Sequence, residues 1–255
     1  MSIVVIGNFD GVHKGHQQIL NRAKELASDE KIVALTFDPH PVSIFAPERT
    51  PTLLTILSDK IELLKIHNAD QVAVIKFTKE FAAMSPEDFV KKVLIEQLKA
   101  RKVIVGQNFT YGFKAAGNVE TLSQNTEFET IVLDLQSNAE ETISSTRIRT
   151  AVTNGDVEAA REMLTRPHRL DGIVVHGEKR GREIGYPTAN LGNIEGQTIP
   201  KDGVYAGWLT VGIDRWPAAI SIGTNPTFEG ARGRQVEAYA LDQEGLDLYT
   251  KPANI

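Results

Sequence analysis

The sequence predicts an α/β protein with two parts, an N-terminal doubly wound parallel sheet and a small C-terminal antiparallel β-barrel. In the first two thirds of the chain, short apolar runs alternate with helical stretches, which is the pattern of βαβ units. After Arg166-Pro167-His168 the periodicity changes to two, with glycine turns and almost no helical spacing. We therefore expect two domains, residues 1–166 and residues 167–255.

The parallel sheet is predicted from five apolar runs and the helical segments between them. Apolar residues at three- and four-residue spacing predict helices over residues 15–26, 59–67 and 86–98. Ser85 caps the last of these, with Pro86 at its first position. The candidate strands are residues 3–6, 32–37, 72–77, 103–105 and 130–133.

Composition excludes several classes of protein. A net charge of −5 over 255 residues argues against a general nucleic-acid or membrane-surface binder, since both need an excess of basic residues. The absence of cysteine excludes disulfides, thiolate metal sites and a cysteine nucleophile. There is no signal-like leader and no apolar run of ~18 residues. We expect a soluble cytoplasmic protein that acts on small molecules, with no nucleic acid or membrane as partner; the sequence does not predict its oligomeric state.

The first seventeen residues predict a phosphate-binding turn. A β-branched run ends at Gly7, passes Asp10 and brings His13, Gly15 and His16 to the start of a helix. The first N–H groups of a helix have no intrahelical partner, and together with the helix dipole they favour an anion there. Glycine lets the backbone approach such a ligand, and the two imidazoles add hydrogen-bond donors. A structural role for the two histidines is the simpler alternative.

Other polar segments also follow predicted strands, where ligands of open α/β sheets bind. One carries Asp38 and His40, which alternatively stabilise only their own turn. Another is the amide and aromatic loop 106–112. A third runs from Thr142 to Arg149 and into a helix; it combines hydroxyls with Arg149, so that it either binds phosphate or simply caps the helix.

The second part contains a second candidate nucleotide site. Residues 176–185 form a basic, glycine-rich loop, which either wraps phosphates or is a solvated turn. Thr188 and Asn190 are two apart on an extended segment, so they share a side and offer hard oxygen ligands suited to Mg²⁺. Glu237, on a predicted strand, is a candidate general base or a cross-strand ion-pair partner.

Four motifs carry a resemblance to a known family. They are Gly-Asn-Phe-Asp-Gly-Val-His-Lys-Gly-His, Ile-Ser-Ser-Thr-Arg-Ile-Arg, Gly-Tyr-Pro-Thr-Ala-Asn and Val-Glu-Ala-Tyr, in this order along the chain. The chain resembles the bacterial bifunctional riboflavin kinase/FMN adenylyltransferases, also called FAD synthetases. The resemblance implies a Rossmann-like nucleotidyltransferase domain of the His-x-Gly-His type and a riboflavin kinase-like barrel.

The family implies two reactions with ATP and Mg²⁺. The barrel phosphorylates riboflavin to FMN, and the first domain joins FMN to AMP, giving FAD and pyrophosphate. The resemblance makes His13, His16 and Glu237 the catalytic residues. It assigns adenylyltransferase ATP binding to Gly7, Asp10, His13, Gly15, His16, Ser145, Thr146 and Arg149; flavin binding to Phe45, Asn108 and Tyr111; kinase ATP binding to Gly177, Lys179, Gly181, Gly185, Thr188 and Asn190; and the metal to Thr188 and Asn190.

The chain departs from the family pattern at both ends, and the C-terminal departure bears on the kinase. The chain stops shortly after Asp247-Leu248-Tyr249, where the family usually continues with a strand and a helix, and Thr250 stands where glycine is usual. The start is also shorter than usual. We therefore expect a C-terminally truncated, incomplete barrel and weak riboflavin phosphorylation. Three functions remain open: the bifunctional enzyme, an adenylyltransferase with an inert barrel, and a non-catalytic flavin-binding or sensing protein.

Overall fold

The computed structural model describes residues 1–134, 143–176, 188–224, 234–243 and 245–255. The chain forms two compact units, one of Met1–Pro51 with Leu57–Ser145, the other of Thr52–Ile56 with Thr146–Ile255. The second unit therefore includes a short segment from the first part of the sequence. The domain boundary at residue 166 stays a prediction. Within the described residues, no helix is long and apolar enough to cross a membrane.

The first unit contains a five-stranded parallel sheet with the order β3-β2-β1-β4-β7. The strands of this unit are β1 Ser2–Ile6, β2 Lys31–Asp38, β3 Gln71–Lys76, β4 Ala100–Gly106, β5 Thr110–Tyr111, β6 Gly117–Asn118 and β7 Glu129–Leu133. Its helices are α1 Lys14–Leu26, α2 Pro41–Phe45, α3 Leu57–Ile66, α4 Lys79–Ala82, α5 Pro86–Asp88 and α6 Val119–Ser123, and α5 continues as a π-helical segment over Phe89–Gln97. All five predicted strands and the three predicted helices are present.

The central strands β1, β2 and β4 are largely buried on both faces because helices cover both. Successive residues of β1 point to opposite sides, so Ile3 and Val5 join one apolar core and Val4 joins the other. The first core contains Leu20 of α1, and the second contains Leu94 of the π-helical segment. The strand order reverses at β1, which places the switch point of the sheet beside the turn that follows this strand.

The second unit is a closed barrel with the strand order β10-β11-β12-β9-β8-β13. The helices at its N-terminal side are α7 Ser145–Asn154 and α8 Val157–Leu164, and Asp156 caps α8 by accepting from the Ala159 N–H at 3.0 Å. The strands are β8 Asp171–Val175, β9 Ala189–Gly192, β10 Gly203–Val211, β11 Asp214–Gly223, β12 Gln235–Ala240 and β13 Pro252–Asn254.

The expectation of an incomplete barrel is wrong. Strand β13 pairs antiparallel with β8 on one side and with β10 on the other, and thereby closes the sheet. Beyond it, Ile255 and Leu170 exchange two backbone hydrogen bonds of 2.8 and 3.0 Å. The apolar interior includes Val174, Leu209 and Ala253. The expectation of weak riboflavin phosphorylation rests on an unpaired strand edge. That edge is paired here, because β13 has a neighbour on each side.

Candidate active sites

The turn between β1 and α1 is held against the neighbouring strand β2. The Gly7 N–H donates to the Leu35 carbonyl at 3.1 Å, and the Thr36 hydroxyl donates to the Asn8 carbonyl at 3.1 Å. Both contacts lie at the carboxyl ends of the strands, the edge where open α/β sheets bind ligands. A side chain at Gly7 would lie 3.2 Å from the Phe9 ring, so glycine permits the tight path of this turn.

The two histidines lie together at the start of α1. His13 occupies the N-cap position without capping the helix through its side chain, and Gly15 is buried in the first turn. The His13 and His16 rings are stacked, with centroids 3.7 Å apart, and the Phe9 ring meets His16 edge-on at 5.2 Å. The predicted imidazole pair is therefore one packed unit beside the N–H groups of the helix start.

Burial holds the pKa of His16 well below its usual value, and the nearby His13 and Lys60 lower it further. Among the described residues, none accepts or donates a hydrogen bond at the buried His16 Nδ1 atom. His16 is therefore a neutral imidazole at pH 7, able to donate one N–H to an anion without carrying a formal charge.

Asp10 and Ser145 lie together in the first unit. Asp10 is 2% exposed, and its carbonyl accepts a hydrogen bond from the Ser145 hydroxyl at 2.8 Å. Thr146 and Arg149 belong to the second unit, where the Arg149 Nε–H donates to the Thr52 carbonyl at 2.6 Å. Phosphate binding by Thr146 and Arg149 stays a prediction.

Lys60 of α3 is only 6% exposed, and sequence reasoning did not identify it as a buried charged residue. Desolvation lowers the pKa of Lys60, while the charges of Asp10 and Asp38 oppose that shift. The signal was available in the sequence: Lys60 precedes the buried Leu64 by four residues and so shares its helical face. A lysine on a core-facing position is uncommon and indicates nearby charge.

The three residues assigned to the flavin occupy different surroundings. Phe45 is 67% exposed at the end of α2, and its ring lies 5.9 Å from that of Phe77. Asn108 is exposed in the loop after β4. Tyr111 is 8% exposed and packs in the core, stacked on Phe109 at 5.6 Å. Phe45 and Asn108 are thus accessible to a ligand, whereas Tyr111 is largely covered.

Residues Thr188, Asn190 and Glu237 lie together on the barrel. Asn190 of β9 pairs directly with Glu237 of β12, and the Thr188 hydroxyl donates to the Glu237 carboxylate at 3.2 Å. Val236 and Ala238 point into the barrel core, so Glu237 between them lies on the outer face. The predicted sharing of one side by Thr188 and Asn190 is confirmed, since the Asn190 amide reaches the Thr188 hydroxyl at 3.5 Å.

The remaining kinase residues lie outside the described residues. These are Gly177, Lys179, Gly181 and Gly185. Within the described part of the chain, no group of three or more His, Asp or Glu side chains could hold a metal ion by itself. The oxygens of Thr188, Asn190 and Glu237 nevertheless fit Mg²⁺, which takes oxygen ligands and usually binds through few protein groups together with substrate phosphates.

Two polar sites on two different folds indicate a nucleotide-dependent transferase with two activities. Residues 1–147 match the FAD synthetase family model, and residues 164–255 match the riboflavin kinase family model. Together these matches span most of the chain. They assign FAD synthesis to the first part of the chain and riboflavin phosphorylation to the second.

Similar proteins extend over nearly the whole chain. The bifunctional riboflavin kinase/FMN adenylyltransferase of Listeria monocytogenes serovar 1/2a is 39% identical, over 99% of this chain and 82% of its own length. The protein of the same name from Bacillus subtilis strain 168 is 36% identical, over 95% of this chain and 79% of its own length. The chain belongs to the bifunctional riboflavin kinase/FMN adenylyltransferase family and is accordingly a transferase of FAD biosynthesis.

A solved structure shares the fold. It is described as the crystal structure of a macrolide-efflux protein from Streptococcus pneumoniae and is 31% identical in sequence. It superposes with a TM-score of 0.87, covering 99% of this chain and 84% of that chain. The parallel sheet and the antiparallel barrel predicted from the sequence are thus confirmed as the fold of this family.

Proposed function

We propose that this chain catalyses both steps from riboflavin to FAD, in the cytoplasm, on small-molecule substrates and without a nucleic-acid partner. The packed His13–His16 pair at the switch point of the sheet carries the proposal for the adenylyl transfer. In that step a phosphate oxygen of FMN attacks the α-phosphorus of ATP, the bond to the β-phosphate breaks, and pyrophosphate leaves. No covalent enzyme intermediate is needed, so catalysis comes from positioning and from stabilising charge.

The first unit supports this step through its hydrogen-bond donors. The N–H groups at the start of α1 and the neutral imidazole of His16 lie beside each other, where they can meet phosphate oxygens. Asp10 and Ser145 hold the turn through their mutual hydrogen bond. Phe45 and Asn108, both accessible, are available for the flavin.

The barrel supports the kinase step through Glu237. In our proposal its carboxylate accepts the proton of the riboflavin 5′-hydroxyl as that oxygen attacks the γ-phosphorus of ATP, and ADP leaves. Thr188 and Asn190 would hold Mg²⁺ with the ATP phosphates, and the ion would neutralise phosphate charge. Barrel closure by β13 favours an active kinase over the alternative of an inert barrel.

The test of the proposal is incubation of the purified protein with magnesium-ATP and either FMN or riboflavin, followed by chromatography of the flavins. We expect FAD from FMN, and FMN followed by FAD from riboflavin. Binding of flavin without any product would instead identify a non-catalytic flavin-binding protein, and FAD from FMN alone would identify an adenylyltransferase with an inert barrel.

Two variants should separate the two activities. His16→Ala should lower FAD formation from FMN by at least ~100-fold, because it removes a donor to the phosphates. Gln18→Ala, at an exposed position of the same helix, is the matched control and should retain wild-type turnover. Glu237→Gln should lower riboflavin phosphorylation by ~100-fold or more while FAD formation from FMN is unchanged. Unchanged turnover of His16→Ala would refute the assignment of the adenylyl-transfer site.

A further inference from the structure

Ser221 of β11 lies beside the proposed general base of the barrel. Ser221 and Glu237 are direct partners in the antiparallel pairing of β11 with β12. The chain neighbours of the serine, Ile220 and Ile222, belong to the barrel core, so Ser221 points outward, to the same face as Glu237. The Cβ atoms of directly opposite residues are about 4.5–5.5 Å apart in such a pair, so the Ser221 hydroxyl can reach a molecule that is bound at the Glu237 carboxylate.

Three polar side chains thereby form a row across three adjacent strands. Asn190 of β9, Glu237 of β12 and Ser221 of β11 occupy consecutive paired positions of the barrel sheet. The Thr188 hydroxyl donates to the Oε2 atom of Glu237 and, among the residues that the structure describes, is the one group that hydrogen-bonds to this carboxylate. Thr188 directly precedes β9, whereas Ser221 is the next polar group of the row on the side of β11, where it is exposed.

Small residues flank Ser221 on the outer face of the barrel and leave room for a ligand. Ala219 and Gly223 lie two positions before and after it, so they point to the same face. A Cβ atom at Gly223 would meet no atom of the described residues within 4 Å. The partner of Ala219 on β10 is also an alanine, Ala206. The chain of a polyhydroxy compound therefore has space to lie along β11 with its hydroxyls beside Glu237 and Ser221.

We propose that Ser221 determines the acceptor specificity of the kinase step by binding the hydroxyl next to the one that is phosphorylated. This inference rests on the riboflavin phosphorylation proposed for the barrel. Glu237 accepts the proton of the terminal hydroxyl, while the Ser221 hydroxyl hydrogen-bonds to the oxygen on the adjacent carbon. Holding both oxygens fixes the rotation of the terminal carbon and aims the reacting oxygen at the γ-phosphorus. The preferred acceptors are therefore chains that end in two adjacent hydroxyls, as the ribityl chain of riboflavin does, and a chain that lacks the second hydroxyl is a poorer substrate.

The experiment combines a variant of the protein with an analogue of the substrate. Ser221→Ala removes the hydroxyl of the protein, and 4′-deoxyriboflavin lacks the substrate hydroxyl that Ser221 binds in our proposal. Wild type and variant are each given magnesium-ATP and either flavin, and kcat and KM are measured from the release of ADP, which the kinase step alone produces. Ser221→Thr keeps a hydroxyl. Thr210→Ala removes a hydroxyl from the outer face of β10, between the core residues Leu209 and Val211, and is the matched control.

We expect kcat/KM for riboflavin to fall by about 3-fold to 10-fold in Ser221→Ala, which corresponds to the loss of one neutral hydrogen bond. The wild type should show a similar fall when 4′-deoxyriboflavin replaces riboflavin. With 4′-deoxyriboflavin, Ser221→Ala should match the wild type, because the hydrogen bond is already absent and the two losses are not additive. Ser221→Thr should keep the preference for riboflavin, and Thr210→Ala should match the wild type with both flavins.

Two results would overturn the role of Ser221. One is an equal loss of kcat/KM with both flavins in Ser221→Ala, which would mark a structural effect of the substitution. The other is an unchanged kcat/KM for riboflavin in Ser221→Ala when its thermal unfolding matches that of the wild type. Absence of ADP release from the wild-type protein with riboflavin would instead refute the kinase function on which the inference rests, so the two failures are distinguishable.

Discussion

At the residue scale, backbone conformation marks the turn between β1 and α1 as strained. Phe9 and Val12 have φ angles of 51° and 40°, in the left-handed region that a β-branched side chain such as valine rarely adopts. Both side chains are completely buried, so core packing holds them in this conformation. Strain of this kind is found mainly where a functional geometry requires it. The strained backbone of this turn supports the phosphate-binding role that we propose for it.

Burial of His16 makes the stability of the first unit depend on pH. Its pKa is lower in the folded chain than in the unfolded chain, so the unfolded chain takes up the additional proton as pH falls below ~6.5. The free energy of unfolding is therefore unaffected by this proton above pH ~6.5 and decreases below it, with a slope of at most ~1.4 kcal/mol per pH unit. Denaturant unfolding at several pH values should show this decrease, and His16→Gln should reduce it. Equal slopes in both proteins would contradict the assignment.

Thr250 is a position at which glycine should stabilise the barrel. Its φ angle is 63°, and its N–H donates to the Val174 carbonyl at 2.8 Å, which fixes the turn before β13. Glycine adopts this conformation without strain, so Thr250→Gly should raise the free energy of unfolding of the second unit by about 1 kcal/mol. Thr250→Ala keeps the Cβ atom and should bring little of this gain. Thermal unfolding of both variants checks the prediction; a lower melting temperature for glycine would contradict it.

Sequence reasoning found the residues whose type and spacing are unusual, and missed those whose role depends on the fold. The His13–His16 pair was recognisable because glycine surrounds it, and the grouping of Thr188 with Asn190 followed from strand geometry. Lys60 was missed because lysine in an amphipathic helix usually lies on the solvent side. Tyr111 is buried because it packs with Phe109 in the core on one face of the sheet. No local sequence pattern indicates this burial.

At the scale of elements, close contact between strands β8 and β9 fixes the geometry of the barrel. Ile173 pairs with Gly192, and a Cβ atom at Gly172 would collide with the Gly192 carbonyl oxygen and lie 2.8 Å from Cγ of Leu191. A side chain at Gly172 therefore does not fit between the two strands, and a Cβ atom at Gly192 would likewise lie 2.8 Å from Cγ1 of Val175 in β8.

Gly172→Ala should consequently destabilise the barrel. The clash involves backbone, which cannot move aside as a flexible side chain can, so we expect a loss of about 1–3 kcal/mol in the free energy of unfolding of the second unit. Gly223→Ala is the control, because a Cβ atom there meets no other atom within 4 Å. Chemical denaturation compares the two variants, and equal stabilities would show that the strands can separate without cost.

Helices and strands with a clear hydrophobic periodicity can be predicted from the sequence, whereas very short elements such as β13 cannot. The five parallel strands form continuous apolar runs between helices, and this pattern defines them without knowledge of the tertiary structure. Strand β13 has only three residues, of which Ala253 alone is buried, so it has no readable alternation. Its existence depends on pairing with β8 and β10, and the expectation of an incomplete barrel was wrong for this reason.

At the scale of the whole molecule, the second unit is not one continuous stretch of sequence. Residues Thr52–Ile56 belong to it although they lie between two segments of the first unit. The Leu53 N–H donates to the Gly196 carbonyl at 2.7 Å, and the Thr198 N–H donates to the Leu53 carbonyl at 2.8 Å. A change of sequence pattern near residue 166 cannot reveal such a contribution, because it comes from backbone pairing.

Leu53→Pro should therefore destabilise the second unit. Proline lacks the N–H that donates to Gly196, and a lost backbone hydrogen bond with an unpaired acceptor costs about 1–3 kcal/mol. Leu53→Ala keeps the N–H and is the control for loss of the side chain. Hydrogen exchange at the Thr198 amide should become faster in Leu53→Pro than in Leu53→Ala. Equal protection in both would show that residues 52–56 are dispensable to that unit.

Closure of the barrel by β13 also bears on the order of events during synthesis. Strand β8 is the first strand of the barrel to emerge from the ribosome, but its partner β13 becomes available only after the polypeptide has been made through Asn254. Pairing between segments far apart in sequence is slow to form, so the barrel is expected to assemble last. The parallel sheet, whose strands all precede residue 134, is complete in sequence well before then. The nascent chain would thus acquire its adenylyl-transfer fold first and its kinase fold second, the reverse of the order in which riboflavin would use them.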